Sequence, residues 1–504
     1  MIDNAKNILE YLEITSRRFP DKIAFSTGKE GMSFSELYDL SRTIGSFLLH
    51  NGFSNEPVAV IADKHPRALS MFFGTIYAGC FYACIDEKMP EARILAILDK
   101  IASRVIICDK KNEKLAKSLG AQNVFVYDDM IADAVIDERS LAIVRKSQSS
   151  TDPIYIAFTS GSTGVPKGVV ACHRSVIDYT ETLSEALDFS ENTVFGNQTP
   201  LYFDAPLKEI MPTLKFGATT YFIPKMLFSF PVKLIEYLDT YRINTICWVV
   251  SALVQISSLG ALENHVPKYL STVAFGSELF PKKQYELWRN ALPDATFFNL
   301  YGPTEATGMS CYWRADRELL SDEPIPIGQP FDNTDILLID ENGKQAQEGE
   351  ICIRGTCLTL GYYNDHEKTD AAFVQNPLNN AYPELIYKTG DIGRINERGE
   401  LLFVCRKDSQ IKHMGHRIEL GEIESAANKL DGVRSSCCVY DNDAKRIVLF
   451  YVGESESDTL AQSLRAYLPR YMLPAHIEKL DAMPFTANGK IDRKLLKERA
   501  VTAV

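Results

Sequence analysis

Short β-rich apolar runs alternate with stretches of helical apolar spacing through most of this chain, and that alternation limits the folds open to it. "VAVIAD" at Val58–Asp63 and "RVIICD" at Arg104–Asp109 are strand-like, whereas "SFSELYDLSRTIGSFLLHNG" at Ser33–Gly52 repeats with a helical period. The pattern resumes with "IYIAF" at Ile154–Phe158 and the helical "VIDYTETLSEALDF" at Val176–Phe189. "TICWVV", "TVAFGS" and "TFFNLYG" follow as further strands, the last at Thr296–Gly302. Such a chain is α/β, with mostly parallel sheets covered by helices on both faces.

The texture then changes. "DILLIDENGK", "GEICIRG" and "LIYKTGDIGRINERGELLFVC" are short runs punctuated by Gly and Asn turns, which predicts an antiparallel, barrel-like subdomain. The last segment predicts a helix at "LGEIESAANKL", a hairpin at "SSCCVYDNDAKRIVLFYVG" and a helix at "LAQSLRAYL", a small α+β unit. The chain has 504 residues, too many for one compact core. The polar link "RKDSQ" at Arg406–Gln410 marks the expected boundary, with a core domain over 1–407 and a smaller one over 408–504.

A net charge of −12 argues against a general nucleic-acid binder, because a polyanion would be repelled by most of the surface. The 11 cysteines are scattered without paired CxxC elements, so free buried thiols in a reducing compartment are expected and a structural zinc site is not. The opening "MIDNAKNILEYLEI" is amphipathic and mixed in charge, unlike a signal peptide, and no apolar stretch is long enough for a membrane span. The expected location is the cytoplasm.

Several loops carry chemistry. "TSGSTGVPKG" at Thr159–Gly168 follows a strand and combines glycines, hydroxyls and Lys167, the means to hold an anion. It is not a Walker A loop, since Val165 and Pro166 precede the lysine and Gly168 follows it. In "NLYGPTEAT", Tyr301 could stack on a base, Thr304 could bond a phosphate and Glu305 could ligate magnesium. Each motif alone also reads as an ordinary turn: Gly-Pro with an exposed Glu, Gly-Asp at Asp391, and a solvated Lys490 after Asn-Gly.

Together, "TSGSTGVPKG", "NLYGPTEAT", "GEICIRG", "YKTGD", "IKHMGHRIELGEIE" and "NGKIDR" stand in the order found in adenylate-forming enzymes, a superfamily of acyl-CoA synthetases, luciferases and nonribosomal peptide synthetase adenylation domains. The chain resembles that superfamily over nearly its whole length, and most of all its amino-acid-activating members, such as stand-alone D-alanine–carrier protein ligases. The resemblance implies that ATP and a carboxylate give an acyl-adenylate and pyrophosphate, with Mg²⁺, before transfer to a thiol. It implies that Thr159, Ser160, Gly161, Ser162, Thr163, Gly164 and Lys167 grip the outgoing phosphates, Glu305 binds Mg²⁺ and Thr304 touches the α-phosphate. Asn299, Tyr301 and Gly302 would surround adenine, and Asp391 and Arg406 would hold the ribose. Lys490 would bridge carboxylate and nucleotide, Asp408 would be the hinge, and Gly415 would line the thiol channel. Cys405 departs from the family's usual Gly before the hinge arginine, which puts the detailed hinge geometry in doubt.

For the substrate, the resemblance implies that Asp204 in "LYFDAPLKEI" meets an α-ammonium; the plain reading of that residue is a helix cap. Ala205, Lys208, Ser251, Val273, Phe275, Leu300, Gly308 and Met309 would complete a short pocket for a small amino acid. Lys208 has two readings. It either meets a substrate carboxylate, implying a small acidic amino acid, or buries only its stem and keeps its charge in solvent, the commoner arrangement. No carrier sequence follows Lys490, so the expected acceptor is the phosphopantetheine thiol of a separate carrier protein, or coenzyme A. The competing readings are an acyl- or aryl-CoA ligase and a non-catalytic nucleotide-binding protein of the same fold.

Overall fold

The computed structural model describes residues 5–132, 135–161, 166–320, 323–408, 410–486 and 491–502. They form two compact units. The larger comprises residues 1–87, 102–157 and 169–405, and the smaller comprises 88–101, 158–168 and 406–504.

The larger unit is built on three sheets. A six-stranded sheet contains Pro57–Ile61, Phe81–Ile85 and Val105–Cys108 in parallel, all apolar runs without polar alternation, as buried parallel strands require. Helix Phe34–His50 starts at a capping box in which Ser33 and Glu36 satisfy each other's backbone N–H groups. It packs on helix Pro66–Tyr77 through two notches. A Cβ on Gly74 would lie 2.5 Å from Ile44 Cγ2, and one on Gly45 would lie 2.7 Å from Tyr77 Cβ.

A nine-stranded sheet carries the motif loops. Thr245–Val249, Thr272–Gly276 and Thr296–Tyr301 run parallel and in register, Thr245 opposite Thr272 and Thr272 opposite Thr296, so their carboxyl ends are level. Ligand loops of open α/β sheets lie at such ends. The third sheet, around Glu348–Gly355 and Leu385–Ile395, is antiparallel and five-stranded, where the sequence predicts a barrel-like subdomain.

In the smaller unit, Val433–Asp441 and Arg446–Gly453 form the expected hairpin, with His476–Lys479 added in parallel. Period-two alternation buries both faces. Cys438, Leu449 and Tyr451 pack with Ile423 and Ala427 of helix Leu420–Asn428, while Cys437, Val448 and Phe450 pack with Leu496 and Ala500. Ten cysteines are buried and Cys405 is exposed; none is in a disulfide. Among the described residues, no helix is long and apolar enough to cross a membrane.

Candidate active site

Strand Thr296–Tyr301 ends in a loop that folds back on itself. A Cβ on Gly302 would sit 2.5 Å from Met309 Cα and 2.6 Å from the Gly308 carbonyl, so only glycine lets the two arms close. Thr307 (φ +54°) and Gly308 (φ +93°) reverse the chain, and the Ser310 N–H then donates to the Tyr301 carbonyl at 2.7 Å. The loop presents Thr304 and Glu305 in one 3₁₀ turn. Glu305 is buried, its Oε1 accepting from the Tyr362 hydroxyl at 2.7 Å and its carbonyl from Thr359 N–H and Oγ1–H at 3.0 and 2.9 Å.

Two other expected nucleotide residues meet in this unit. The Tyr301 hydroxyl donates to Asp391 Oδ2 at 2.6 Å, and the Asn299 amide donates to the Pro326 carbonyl at 2.7 Å. The Asp391 pairing fixes the Tyr301 ring at the edge of the loop.

Asp204 precedes helix Leu207–Phe216 and lines a cavity walled by Phe72, Tyr82, Tyr155, Tyr202 and Leu207. Burial pushes its carboxyl above the usual carboxylate range, the Thr304 hydroxyl and Lys208 pull it back, and Glu305 pushes it further up. The fold therefore brings Asp204 into electrostatic reach of both motif residues. Burial and the neighbouring carboxylate both disfavour its ionised form, which a bound cation would favour.

Lys208, one turn on, is only 5% exposed. Its stem is therefore buried, as both readings of this residue require. Neighbouring Glu209 is wholly buried, and desolvation raises its carboxyl to about 8 despite the opposing effect of Lys208. Desolvation also lowers the Lys64 amine to about 7; it donates to the carbonyls of Asn197 and Gln198 at 3.2 and 3.1 Å.

The pleat of the central strand divides the expected lining residues between two faces. Ala274, Leu300 and Met309 share a core with Leu207 and Ile210, the side of the sheet that carries Asp204. Val273 and Phe275 point the other way, into a core with Trp248, Tyr285 and Phe297, where Phe275 packs edge-on against Phe280 at 4.9 Å. Side chains alternate across a strand, so these two lie on the opposite face from Ala274. Gly276, opposite Leu300, lies in the same alternation. Reading "TVAFGS" against "TFFNLYG" with the two strands in register would have found both. Ala205 and Ser251 are partly exposed, the latter with its N–H bonded to Glu278 Oε2 at 2.8 Å, and Gly308 is buried.

In the smaller unit the phosphate-type loop is held by polar contacts. Ser160 Oγ donates to the Arg417 carbonyl at 2.8 Å and accepts from Glu419 N–H at 3.0 Å. Gly161 N–H reaches Glu422 Oε2 at 3.1 Å, and Lys167 Nζ lies 3.6 Å from Glu419 Oε1. The buried Thr159 hydroxyl has no hydrogen-bond partner among the described residues. Arg406 pairs bidentately with Asp408 at 2.8 and 2.7 Å, which holds the Asp408 carboxyl below its ordinary range against the upward push of burial. Gly415 and Met414, both at positive φ, form the two-residue turn of hairpin Gln410–His413/His416–Glu419. Ser162, Thr163, Gly164 and Lys490 lie outside the described residues.

The AMP-binding enzyme family matches residues 12–363, and the AMP-binding enzyme C-terminal domain matches 422–490. The chain belongs to the AMP-binding enzyme family.

This AMP-binding enzyme is 30% identical over 509 residues to tyrocidine synthase 1 of Brevibacillus parabrevis, covering 99% of this chain and 45% of that protein. It is 29% identical over 495 residues to zwittermicin A synthase ZmaJ of Bacillus cereus, covering 95% of this chain and 92% of the relative. The chain spans less than half the length of the large synthases it matches, for example 9% of bacitracin synthase 1 of Bacillus licheniformis. Holo-PA1221, a solved nonribosomal peptide synthetase protein with adenylation and PCP domains, superposes with a TM-score of 0.84 at 24% identity, over 98% of this chain and 84% of that one. The Vibrio cholerae adenylation domain AlmE, solved with glycyl-adenosine-5'-phosphate, gives 0.84 at 20% identity, over 100% and 99%. These likenesses establish the fold.

Proposed function

We propose that this enzyme activates a small amino acid as its aminoacyl-adenylate and passes it to the phosphopantetheine thiol of a separate carrier protein. One observation carries the reading: Asp204, on the cavity wall, lies in electrostatic reach of Thr304 and Glu305 of the motif loop. An ammonium anchor beside phosphate- and metal-type residues is what amino-acid adenylation needs. A fatty or aryl acid brings no cation for Asp204.

In the first step a substrate carboxylate oxygen forms a bond to the α-phosphorus of ATP, the α–β phosphoanhydride bond breaks, and pyrophosphate leaves. No protein nucleophile takes part; the enzyme positions two anions and offsets their charge. Asp204 holds the α-ammonium and so aims the carboxylate, Thr304 donates to an α-phosphate oxygen, and Tyr301 and Asp391 hold the nucleoside. Arg406 adds to the ribose contact. Thr159–Lys167 takes the β- and γ-phosphates, and Lys490 supplies a mobile charge between carboxylate and phosphate.

Magnesium fits these residues. Glu305 offers a hard carboxylate in the turn that also carries Thr304, as suits an ion shared with nucleotide phosphates. When bound, it would offset phosphate charge. In the second step the thiol sulfur bonds to the acyl carbon, the acyl–phosphate C–O bond breaks, AMP leaves, and the thiol proton passes to solvent. A boundary after Lys407, rotation about Asp408, and a thiol path beside Gly415 would serve that step.

The test is to incubate the enzyme with ATP, Mg²⁺ and single amino acids, trap activated acyl groups with hydroxylamine, and follow carrier loading by intact mass. Amino-acid-dependent hydroxamate and a carrier mass gain are expected. Hydroxamate only from acids lacking an amine would replace this reading with that of an acyl ligase.

A further inference from the structure

The segment that carries Asp204 is closed at its base by a side-chain pair that the adenylation chemistry does not use. Asn197 ends strand Val194–Asn197, Glu209 lies in the first turn of helix Leu207–Phe216, and Asp204 stands on the chain between them. Both side chains are wholly buried, and the Asn197 amide donates from Nδ2 to Glu209 Oε2 at 3.3 Å. Among the described residues, the other two oxygens of the pair, Asn197 Oδ1 and Glu209 Oε1, are buried without a hydrogen-bond partner.

Two orphaned oxygens in one hydrogen-bonded pair have a simple chemical reading. A carboxylate oxygen and an amide oxygen only accept, so neither satisfies the other. A carboxylic acid has a donor as well, and it pairs with a primary amide through two antiparallel hydrogen bonds. The structure shows one of the two, and the unpartnered oxygens are those that the second would join. Leaving either oxygen unsatisfied in the interior is costly, and a single proton on Oε1 relieves both.

The groups around the pair agree. Burial raises the Glu209 carboxyl, while Lys208 on its own helix, Asn197, and Lys64 beyond strand Pro57–Ile61 pull it down less strongly. Tyr179 of helix His173–Ala186 and Cys247 of strand Thr245–Val249 also sense Glu209, and burial holds both as neutral groups. Lys64, which Lys225 acts on in turn, is committed to the backbone: its amine donates to the carbonyls of Asn197 and Gln198 at 3.2 and 3.1 Å.

Position links this pair to the site. Lys64 and the Ile223 N–H, at 3.1 Å from the Asn197 carbonyl, anchor one end of the segment. Thr220 Oγ1 donates to the Glu209 carbonyl at 3.4 Å and so ties the other end to the sheet. The acid–amide pair joins the two ends across the stretch that gives Leu201, Tyr202, Phe203 and Asp204 to the cavity wall.

Resting on the proposed role of Asp204 in amino-acid activation, we propose that Glu209 is a positioning residue: its carboxylic acid closes a double hydrogen bond with the Asn197 amide, and that pair holds Asp204 in place for the substrate ammonium.

The test is ATP–pyrophosphate exchange by the full chain with its preferred amino acid, from below to above pH 8, as wild type, Glu209→Gln and Glu209→Met. Glutamine supplies the same donor and acceptor at every pH. Below pH 8, Glu209→Gln should keep KM for the amino acid within about 2-fold of wild type, whereas Glu209→Met, which closes neither bond, should raise it about 10-fold with a smaller fall in kcat. Above pH 8 the wild-type KM should climb relative to that of Glu209→Gln, because deprotonation breaks the second bond. Titration of the substrate's own ammonium affects both proteins alike. The infrared difference spectrum of wild type minus Glu209→Gln at neutral pH should show the C=O stretch of a protonated carboxyl, a readout that does not depend on Glu209→Met folding. Absence of that band, a KM in Glu209→Gln raised as far as in Glu209→Met, or an unchanged KM in Glu209→Met would overturn the assignment and leave amino-acid activation standing. Exchange only with carboxylates lacking an amine would instead overturn the reading of Asp204 on which it rests.

Discussion

The Tyr301 hydroxyl donates a 2.6 Å hydrogen bond to Asp391 Oδ2, joining two motifs 90 positions apart in the chain. Both side chains are buried, and the bond fixes a ring at the end of strand Thr296–Tyr301 to a carboxylate on the antiparallel sheet. Tyr301→Phe keeps the ring and removes the donor. A hydrogen bond to a charged acceptor contributes about 1.5–3 kcal/mol, so urea unfolding should show a loss of that order. ATP affinity should weaken as well, because Asp391 loses the contact that orients it. Unchanged stability and an unchanged KM for ATP would mean that this pair is incidental.

His173 gives the larger unit a defined acid response. Its ring is buried, its Nδ1 accepts from the Ile8 N–H at 3.2 Å, and burial, with Arg145 adding to it, lowers the imidazole to about 3. Below the ordinary value of 6.5 the unfolded chain takes up a proton that the folded chain refuses until about pH 3. Stability from this group is thus complete above pH 6.5 and is lost as pH falls through that window. His173→Asn retains an acceptor near Nδ1 without the titration. Denaturant unfolding at a series of pH values should show a shallower acid slope for the variant, by about one proton.

Arg93 and Glu422 form a buried ion pair inside the smaller unit, and Glu422 also accepts the Gly161 N–H. Removing one partner strands a charge. Arg93→Met should cost about 3–5 kcal/mol of that unit's stability, and the double variant Arg93→Met/Glu422→Leu should recover much of it. Hydrogen exchange through helix Leu420–Asn428 in the two variants would measure this directly.

The glycine notch between helices Phe34–His50 and Pro66–Tyr77 has no slack. Gly74→Ala would place a methyl 2.5 Å from Ile44 Cγ2 and 3.0 Å from the Ser41 carbonyl. Despite alanine's better helix propensity, the melting temperature should fall, with a cost of about 1–3 kcal/mol from overpacking.

Local signals made much of this fold readable. Apolar runs such as "VAVIAD" and the hairpin around Asp441–Arg446 carry their periodicity within a few residues, and the structure follows them. The motif loop at Asn299–Thr307 was legible because its glycine and its position after a strand are local too. The face of a strand is different. Alternation in "TVAFGS" gives two faces, but only its register with the neighbouring strands shows that Ala274, and not Val273 or Phe275, faces the Asp204 side. Lys208 is hard to place for a related reason, since a lysine's burial depends on the sheet beneath its helix. Tyr301–Asp391 and Arg93–Glu422 are pairings across long sequence separations that no local pattern announces.

The most direct test of the central claim is amino-acid-dependent ATP–pyrophosphate exchange, measured in parallel for the wild type and Asp204→Ala. Exchange that requires an amino acid, and falls by at least about 100-fold in the folded variant while ATP still binds, is the predicted result. Exchange that persists undiminished in Asp204→Ala, or that responds only to carboxylates without an amine, would contradict the account.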